Sequence, residues 1–206
     1  MESYHDYAIK DGKLVAKYEE MYQKFDDPWI QSTQPNRYSR TMAIMNIKRY
    51  GIKNIVEYGC GLGYYANWIH QETGIIPRSI DISPTAILKA KQKFPHLNFE
   101  VGSILDLDKL PSKDEVDCIL LADIMWYILD DLKTINQKLL ENFRGKYLIN
   151  NFVTYREGVQ KYGREYFTST EELINYMPFK LVGYGIATTV DDVNIDSTTI
   201  FKIEPK

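Results

Sequence analysis

The sequence predicts an α/β fold: a doubly wound, mostly parallel sheet of seven strands that ends in an antiparallel hairpin and is preceded by an N-terminal helical lid. Three observations carry this. Short runs rich in Val, Ile and Leu alternate with helical periods from about residue 50 onward. The first run ends in a glycine turn, "EYGCGLG". The last two, "FKLVGYGIATTV" and "STTIFKIEP", are separated by the turn-prone "DDVNID", a connection too short for a parallel crossover.

Residues 13–25 place Leu14, Tyr18, Met21, Tyr22 and Phe25 at helical spacing. The proline of "DDPW" ends that helix by disfavouring helical geometry at Asp27. A second helix is expected over 36–50, with Asn36 as N-cap and Gly51 as stop. "KNIVEYG" then reads as a strand, "YYANWIHQET" as a helix and "IPRSIDIS" as a strand. "PTAILKAKQKF" opens a helix with proline in its first turn. "LNFEVGSI" and "EVDCILLAD" are strands, "DDLKTINQKLLENF" a helix and "GKYLINNF" a further buried strand. "TSTEELINYM" offers overlapping capping boxes, Thr168 with Glu171 and Ser169 with Glu172. The expected division is a lid over 1–50 and the α/β domain over 51–206.

The composition excludes several classes. A net charge of −3 with no basic stripe disfavours nucleic acid. No apolar run approaches the roughly 20 residues that span a bilayer, and the polar start is not a secretory signal. Cys60 and Cys118 lie far apart, without metal or redox spacing. A cytoplasmic protein is expected, and no feature sets its oligomeric state. The 16 tyrosines and three tryptophans either pack the core and its rim or wall a pocket.

A strand, "GCGLG", then a helix puts bare main chain at the carboxyl end of the first parallel strand, where open α/β sheets bind ligands. Glycine allows the tight turn and close approach of a ligand. The dinucleotide fingerprint fails: counting from Gly59, its sixth position is Tyr64 rather than glycine, which hinders a pyrophosphate. No Gly-Lys-Ser/Thr follows either. The ligand is therefore expected to be a nucleoside without an essential phosphate chain.

At this point the sequence resembles class I S-adenosylmethionine-dependent methyltransferases, which have a Rossmann-like fold. Their first motif, an acid followed by alternating glycines, matches Glu57, Gly59, Gly61 and Gly63, with Cys60 inside the turn. The likeness runs in register from about residue 50 to 150. It implies S-adenosylmethionine as cofactor, with Asp81 accepting hydrogen bonds from both ribose hydroxyls, as a two-oxygen carboxylate suits a vicinal diol. Ile82, Ser103, Ile104 and Asp106 stand where the family brackets adenine; the usual acid after the glycine is Ser103 here. "VDCILLADIMWYI" matches the segment where Ala122 and Asp123 meet the methionyl group and the acceptor. "ADIMWYI" and "DDPWIQSTQPNRYSR" also resemble nodulation-type N-methyltransferases, which act on a chitooligosaccharide amine. The Asn-Pro-Pro-Tyr motif of nucleic-acid methyltransferases is replaced by "ADIMW".

These resemblances imply a small-molecule acceptor, with a sugar or glycan building block leading. Tyr38, Arg37 and Arg40 belong to the lid, where either arginine could clamp the methionyl carboxylate. Methyl transfer needs alignment and exclusion of water, plus a base only for a hydroxyl acceptor. The catalytic candidates are Asp123, Trp126, Tyr127 and His5. Residues 152–167, with Tyr155, Arg156, Tyr162, Arg164 and Tyr166, form a candidate acceptor wall. Asp123, Asn150 and Asn151 fall where catechol-type O-methyltransferases hold magnesium; one carboxylate makes a poor site for a hard cation, and no metal is expected. A non-catalytic nucleoside-binding module, a nicotinamide oxidoreductase and a protein-directed methyltransferase stay open.

Overall fold

The structure, a computed structural model of the 206-residue chain, describes residues 3–110, 113–188 and 193–206. The N-terminal part holds α1 (His5–Ala8), a two-residue ladder of β1 (Ile9–Lys10) with β2 (Lys13–Leu14), α2 (Tyr18–Lys24) and α3 (Tyr38–Arg49). Then come β3 (Ile55–Tyr58), α4 (Tyr64–Thr73), β4 (Arg78–Asp81), α5 (Pro84–Lys93) and β5 (Asn98–Val101). The chain continues through β6 (Cys118–Ala122), α6 (Leu132–Asn142) and β7 (Tyr147–Tyr155) to α7 (Thr170–Tyr176), β8 (Phe179–Thr188) and β9 (Asn194–Pro205). Short 3-10 turns cover Ile104–Lys109 and Met125–Tyr127.

The seven-stranded sheet has the order β5-β4-β3-β6-β7-β9-β8. Strands β3 to β7 are parallel, and β9 lies antiparallel between β7 and β8. The chain winds outward through β3, β4 and β5, then returns to β6 on the other side of β3. The reversal opens a crevice at the carboxyl tips of β3 and β6.

Alternation along the strands divides the core. Leu120, Ile149 and Ile200 face Ile44 and Ile47 of α3 and Tyr65 and Ile69 of α4. Ile119, Leu121, Leu148 and Phe201 face Leu132, Ile135 and Leu139 of α6. Helix α5 buries Ile87 and Ala90 with Ala66 and Phe99.

Several local expectations change. The helix expected over 13–25 begins only at Tyr18, because Leu14 pairs in β2 and Ala16 is left-handed at φ 56°. Helix α3 begins at Tyr38, and Asn36 is not its cap. A distant carboxylate serves instead: Asp196 of β9 accepts the Ser39 N–H at 2.9 Å. Helix α3 packs on the sheet through Ala43, Ile44 and Ile47, while Tyr38 and Arg40 in its first turn border the crevice. Ser169 caps α7, accepting the Glu172 N–H at 3.1 Å. Glu172 reaches back to the N–H and hydroxyl of Thr168, so the box of Thr168 with Glu171 does not form. Strand β7 runs on to Tyr155, taking in the start of the expected acceptor wall. The "DDVNID" turn lies partly outside the described residues.

Gly63 shows why the loop after β3 tolerates little. It precedes α4 at φ 79°, and a side chain there would strike the Phe99 ring. Gly63→Ala should therefore lower stability by about 1–3 kcal/mol, read as a lower urea midpoint; an unchanged midpoint would remove Gly63 from the packing.

Candidate active site

The crevice encloses about 1120 Å³. Its floor is the turn after β3. The N–H groups of Gly59 and Cys60 donate to the Ile80 carbonyl at 2.8 and 3.2 Å. Asp81 ties the turn down: its Oδ2 accepts the Gly61 N–H at 2.8 Å and its Oδ1 the Ser83 N–H at 2.9 Å. At Gly59 a Cβ would collide with Ile124, so the main chain must stay bare there.

The N-terminal segment docks on this floor by hydrogen bonds. Gln31 Oε1 accepts the Leu62 N–H at 2.8 Å, and Gln31 and the Tyr22 hydroxyl fill the space where a Gly61 side chain would project. Asp27 orders the approach by accepting the N–H groups of Gln31 and Ser32 at 2.8 and 3.0 Å. Between them Ile30 is left-handed at φ 55°, a strained position for a β-branched residue. Glu19 of α2 accepts the Thr85 N–H at 3.1 Å and the Ser83 and Thr85 hydroxyls at 2.5 Å, at the start of α5. These bonds hold its carboxyl below the usual range against desolvation.

The crevice brings together many of the expected residues. Gly59, Asp81, Ile82, Ser103 and Ile104, at and after the tips of β3, β4 and β5, border the crevice. So do Ala122, Asp123, Trp126 and Tyr127 at and after the β6 tip, and His5, Tyr38 and Arg40 from the N-terminal part. Ile82 is 58% exposed, an apolar plate at the β4 tip. Ser103 borders the crevice, but its hydroxyl accepts the Leu105 N–H at 3.1 Å as a cap.

Other expected residues lie elsewhere. Gly61 sits under Gln31 and Tyr22, and Gly63 under Phe99, and neither borders the crevice. Cys60 is buried, and burial pushes its thiol well up. Glu57 is fully buried behind the loop rather than in the crevice, its Oε2 accepting the Ser79 hydroxyl at 2.7 Å. Burial pushes its carboxyl up to about 7, opposed by Ser79 and Arg40. Trp126 is a wall rather than a polar catalyst, because its indole N–H donates to the Val153 carbonyl at 2.6 Å. In the acceptor wall Tyr155 and Tyr162 border the crevice, whereas Arg156, Arg164 and Tyr166 do not. Asn150 and Asn151 are successive on β7 and point to opposite faces, so they cannot join Asp123 as a pair around one ion. Among the described residues no cluster of three or more His, Cys, Asp or Glu could hold a metal.

A four-membered ionic cluster closes the site. Arg40 Nη2 donates to Asp123 Oδ2 at 2.8 Å, and its guanidinium lies 4.8 Å from the Tyr65 ring centre. Arg37 lies 3.7 Å from the same oxygen and bonds Asp196 Oδ1 at 2.9 Å. Burial would raise the Asp123 carboxyl, but the two guanidinium groups outweigh it and hold it below the usual range. Asp123 is itself left-handed at φ 60°. Arg40 Nε and Asp123 Oδ1 are shielded from solvent and lack a protein partner. Glu19, Gln31 and Asp196 were not evident from sequence; only the turn-forming "DDPW" marks the loop that carries Gln31.

Glu57 gives a pH test. Its carboxyl is raised on folding, so the folded protein retains a proton that the unfolded chain releases, and stability falls as pH rises from about 5 to about 7. Glu57→Gln should flatten this fall in urea unfolding at the two pH values. An identical slope in the variant would assign the titration to another group.

The comparisons agree with this fold. Residues 52–189 match the family described as "Methyltransferase domain". The N-methyltransferase NodS from Bradyrhizobium japonicum WM9, solved with S-adenosyl-l-homocysteine, superposes with a TM-score of 0.65 at 18% identity, covering 89% of this chain and 97% of NodS. The MccD protein gives 0.63 at 14% identity, over 82% and 97% of the two chains. WbdD, a bifunctional kinase-methyltransferase, gives 0.60 at 17% identity over 82% of this chain and 40% of its own. No curated protein sequence matches significantly. With the family match spanning most of its length, this chain belongs to the methyltransferase domain family.

Proposed function

We propose that this methyltransferase acts on an oxygen or nitrogen of a small polar acceptor, namely a sugar, sugar nucleotide or related glycan building block. The observation that carries the reading is the size and lining of the crevice. Its volume of about 1120 Å³ exceeds the roughly 300–1,000 Å³ of an ordinary one-ligand pocket. Its lining joins Gly59, Asp81 and Ile82 at the β3 and β4 tips to Tyr127, Tyr155 and Tyr162.

The cofactor is S-adenosylmethionine, and the residues at the β3 and β4 tips fit it. Main chain is bare at Gly59, the Asp81 carboxylate stands at the β4 tip for a ribose diol, and Ile82 and Ile104 offer apolar faces for adenine. The unpartnered Nε of Arg40 leaves a buried cationic donor for a carboxylate. When bound, the group supplies an electrophilic methyl carbon on a sulfonium. The chain's own part is alignment and dryness. Asp123 orients the acceptor through its unpartnered Oδ1, Tyr127 and Trp126 wall it, and the lid covers the crevice. Tyrosine rings with hydroxyl tips suit the faces and edges of a sugar. Among the described residues no helix is long and apolar enough to cross a membrane.

Asp81→Ala should weaken S-adenosylhomocysteine binding by about 1–3 kcal/mol, the scale of a charged hydrogen bond; unchanged calorimetric affinity would refute the ribose role. Asp123→Asn should slow S-adenosylhomocysteine formation more than it weakens cofactor binding. Equal effects on the two would move Asp123 to the cofactor's side.

A further inference from the structure

We infer that Asn151 is a positioning residue of the site: from one place on β7 it fixes both halves of the Arg40–Asp123 pair. This rests on the methyltransferase reading and names what sets the pair's geometry within it. The Asn151 main-chain carbonyl accepts the Asp123 N–H at 3.0 Å, where the chain leaves β6 in a left-handed conformation. Its side-chain Oδ1 accepts the Tyr65 hydroxyl at 3.2 Å, and the Tyr65 ring carries the Arg40 guanidinium 4.8 Å from its centre. Arg40 Nη2 closes the circuit on Asp123 Oδ2 at 2.8 Å. Residues from β7, α4, α3 and the turn after β6 thus form one loop of contacts.

Asn151, Tyr65 and Arg40 are all buried, so solvent cannot replace a lost bond among them. Burial holds the Tyr65 phenol well up, so it stays a neutral donor to the amide. The place itself suits an apolar side chain. Ile149, on the same face of β7, packs there with Ile44 and Ile47 of α3 and Ile69 of α4. An amide costs stability in that setting. Asn151 Nδ2 is shielded without a protein partner, and so is the Thr198 hydroxyl opposite it on β9. What the amide supplies is an acceptor for Tyr65, which a leucine of similar size could not offer.

The two members of the pair serve different ligands. Arg40 turns Nη1 to the Gln34 carbonyl at 3.3 Å and Nη2 to Asp123, which leaves Nε for the cofactor carboxylate. Asp123 keeps Oδ1 for the acceptor. Neither Asn151 nor Tyr65 borders the crevice. Asn151 therefore sets cofactor and acceptor relative to one another while touching neither, and an in-line displacement depends on that alignment.

The test is calorimetry with two probes, S-adenosylhomocysteine and 5′-methylthioadenosine, which shares the adenosine thioether and lacks the amino-acid carboxylate. The unaltered protein should prefer the first. Tyr65→Phe keeps the ring under Arg40 and removes only the bond to Asn151. It should reduce the preference about two- to tenfold, the scale of one hydrogen bond, with affinity for 5′-methylthioadenosine unchanged. Asn151→Ala should do the same, and the double variant should lose no more of the preference than either single, because both cut one bond. A merely structural role would weaken both probes alike and leave their ratio unmoved, which overturns the proposal, as do additive losses in the double variant. If Asn151→Ala does not fold, Tyr65→Phe decides alone. Equal binding of the two probes by the unaltered protein overturns the Arg40 contact and the positioning with it. Failure to bind either probe strikes the cofactor reading instead, so the two failures are distinguishable.

Discussion

The carboxylate of Asp81 holds the crevice together. Each oxygen accepts a backbone N–H, one from the turn after β3 and one from the turn after β4. Two loops leaving adjacent parallel strands are thus fixed to one another, and the bare main chain at Gly59 keeps its place beside them. Removal from water raises this carboxyl, while the backbone donors oppose that rise. The same geometry leaves Ile82 facing outward at the strand tip, an apolar surface beside an acid.

The covering segment attaches to this frame chiefly through polar contacts with loop backbone. Glu19 meets the first turn of α5, where unpaired N–H groups and the helix dipole favour an anion. Lys89 of α5 answers by donating to the carbonyls of Tyr22 and Phe25 at 2.8 and 3.0 Å. Gln31 completes the contact at Leu62. A small apolar cluster of Met21, Tyr22, Leu62 and Ala86 lies beneath. Directional bonds of this kind set one closed position, whereas an apolar patch alone would permit sliding.

Periodicity and turn chemistry revealed most of the architecture because they act locally. The buried strand at β6, the proline at the start of α5 and the glycine at the α3 stop all appear as read. The misses share one cause, tertiary contact overriding local pattern. Leu14 carries helical spacing with Tyr18, yet β pairing and the left-handed Ala16 take it out of the helix. Asn36 looks like a cap, but Asp196 supplies the bond from 157 residues away. Glu57 opens the acid-and-glycine motif, yet only the fold shows Ser79 behind it, within the sheet. The packing of Tyr18 and Trp29 against Tyr127 likewise needs the lid's path across the strand tips.

The bond from Asp196 to helix α3 has a consequence for biosynthesis. Its acceptor lies on β9, so during translation the start of α3, Arg37 and the Arg40–Asp123 pair wait for the last strand before their surroundings are complete. Until that strand inserts between β7 and β8, two guanidinium groups face one carboxylate. A nascent chain can therefore assemble the nucleoside-facing half of the sheet early, while the ionic cluster matures only when the hairpin arrives.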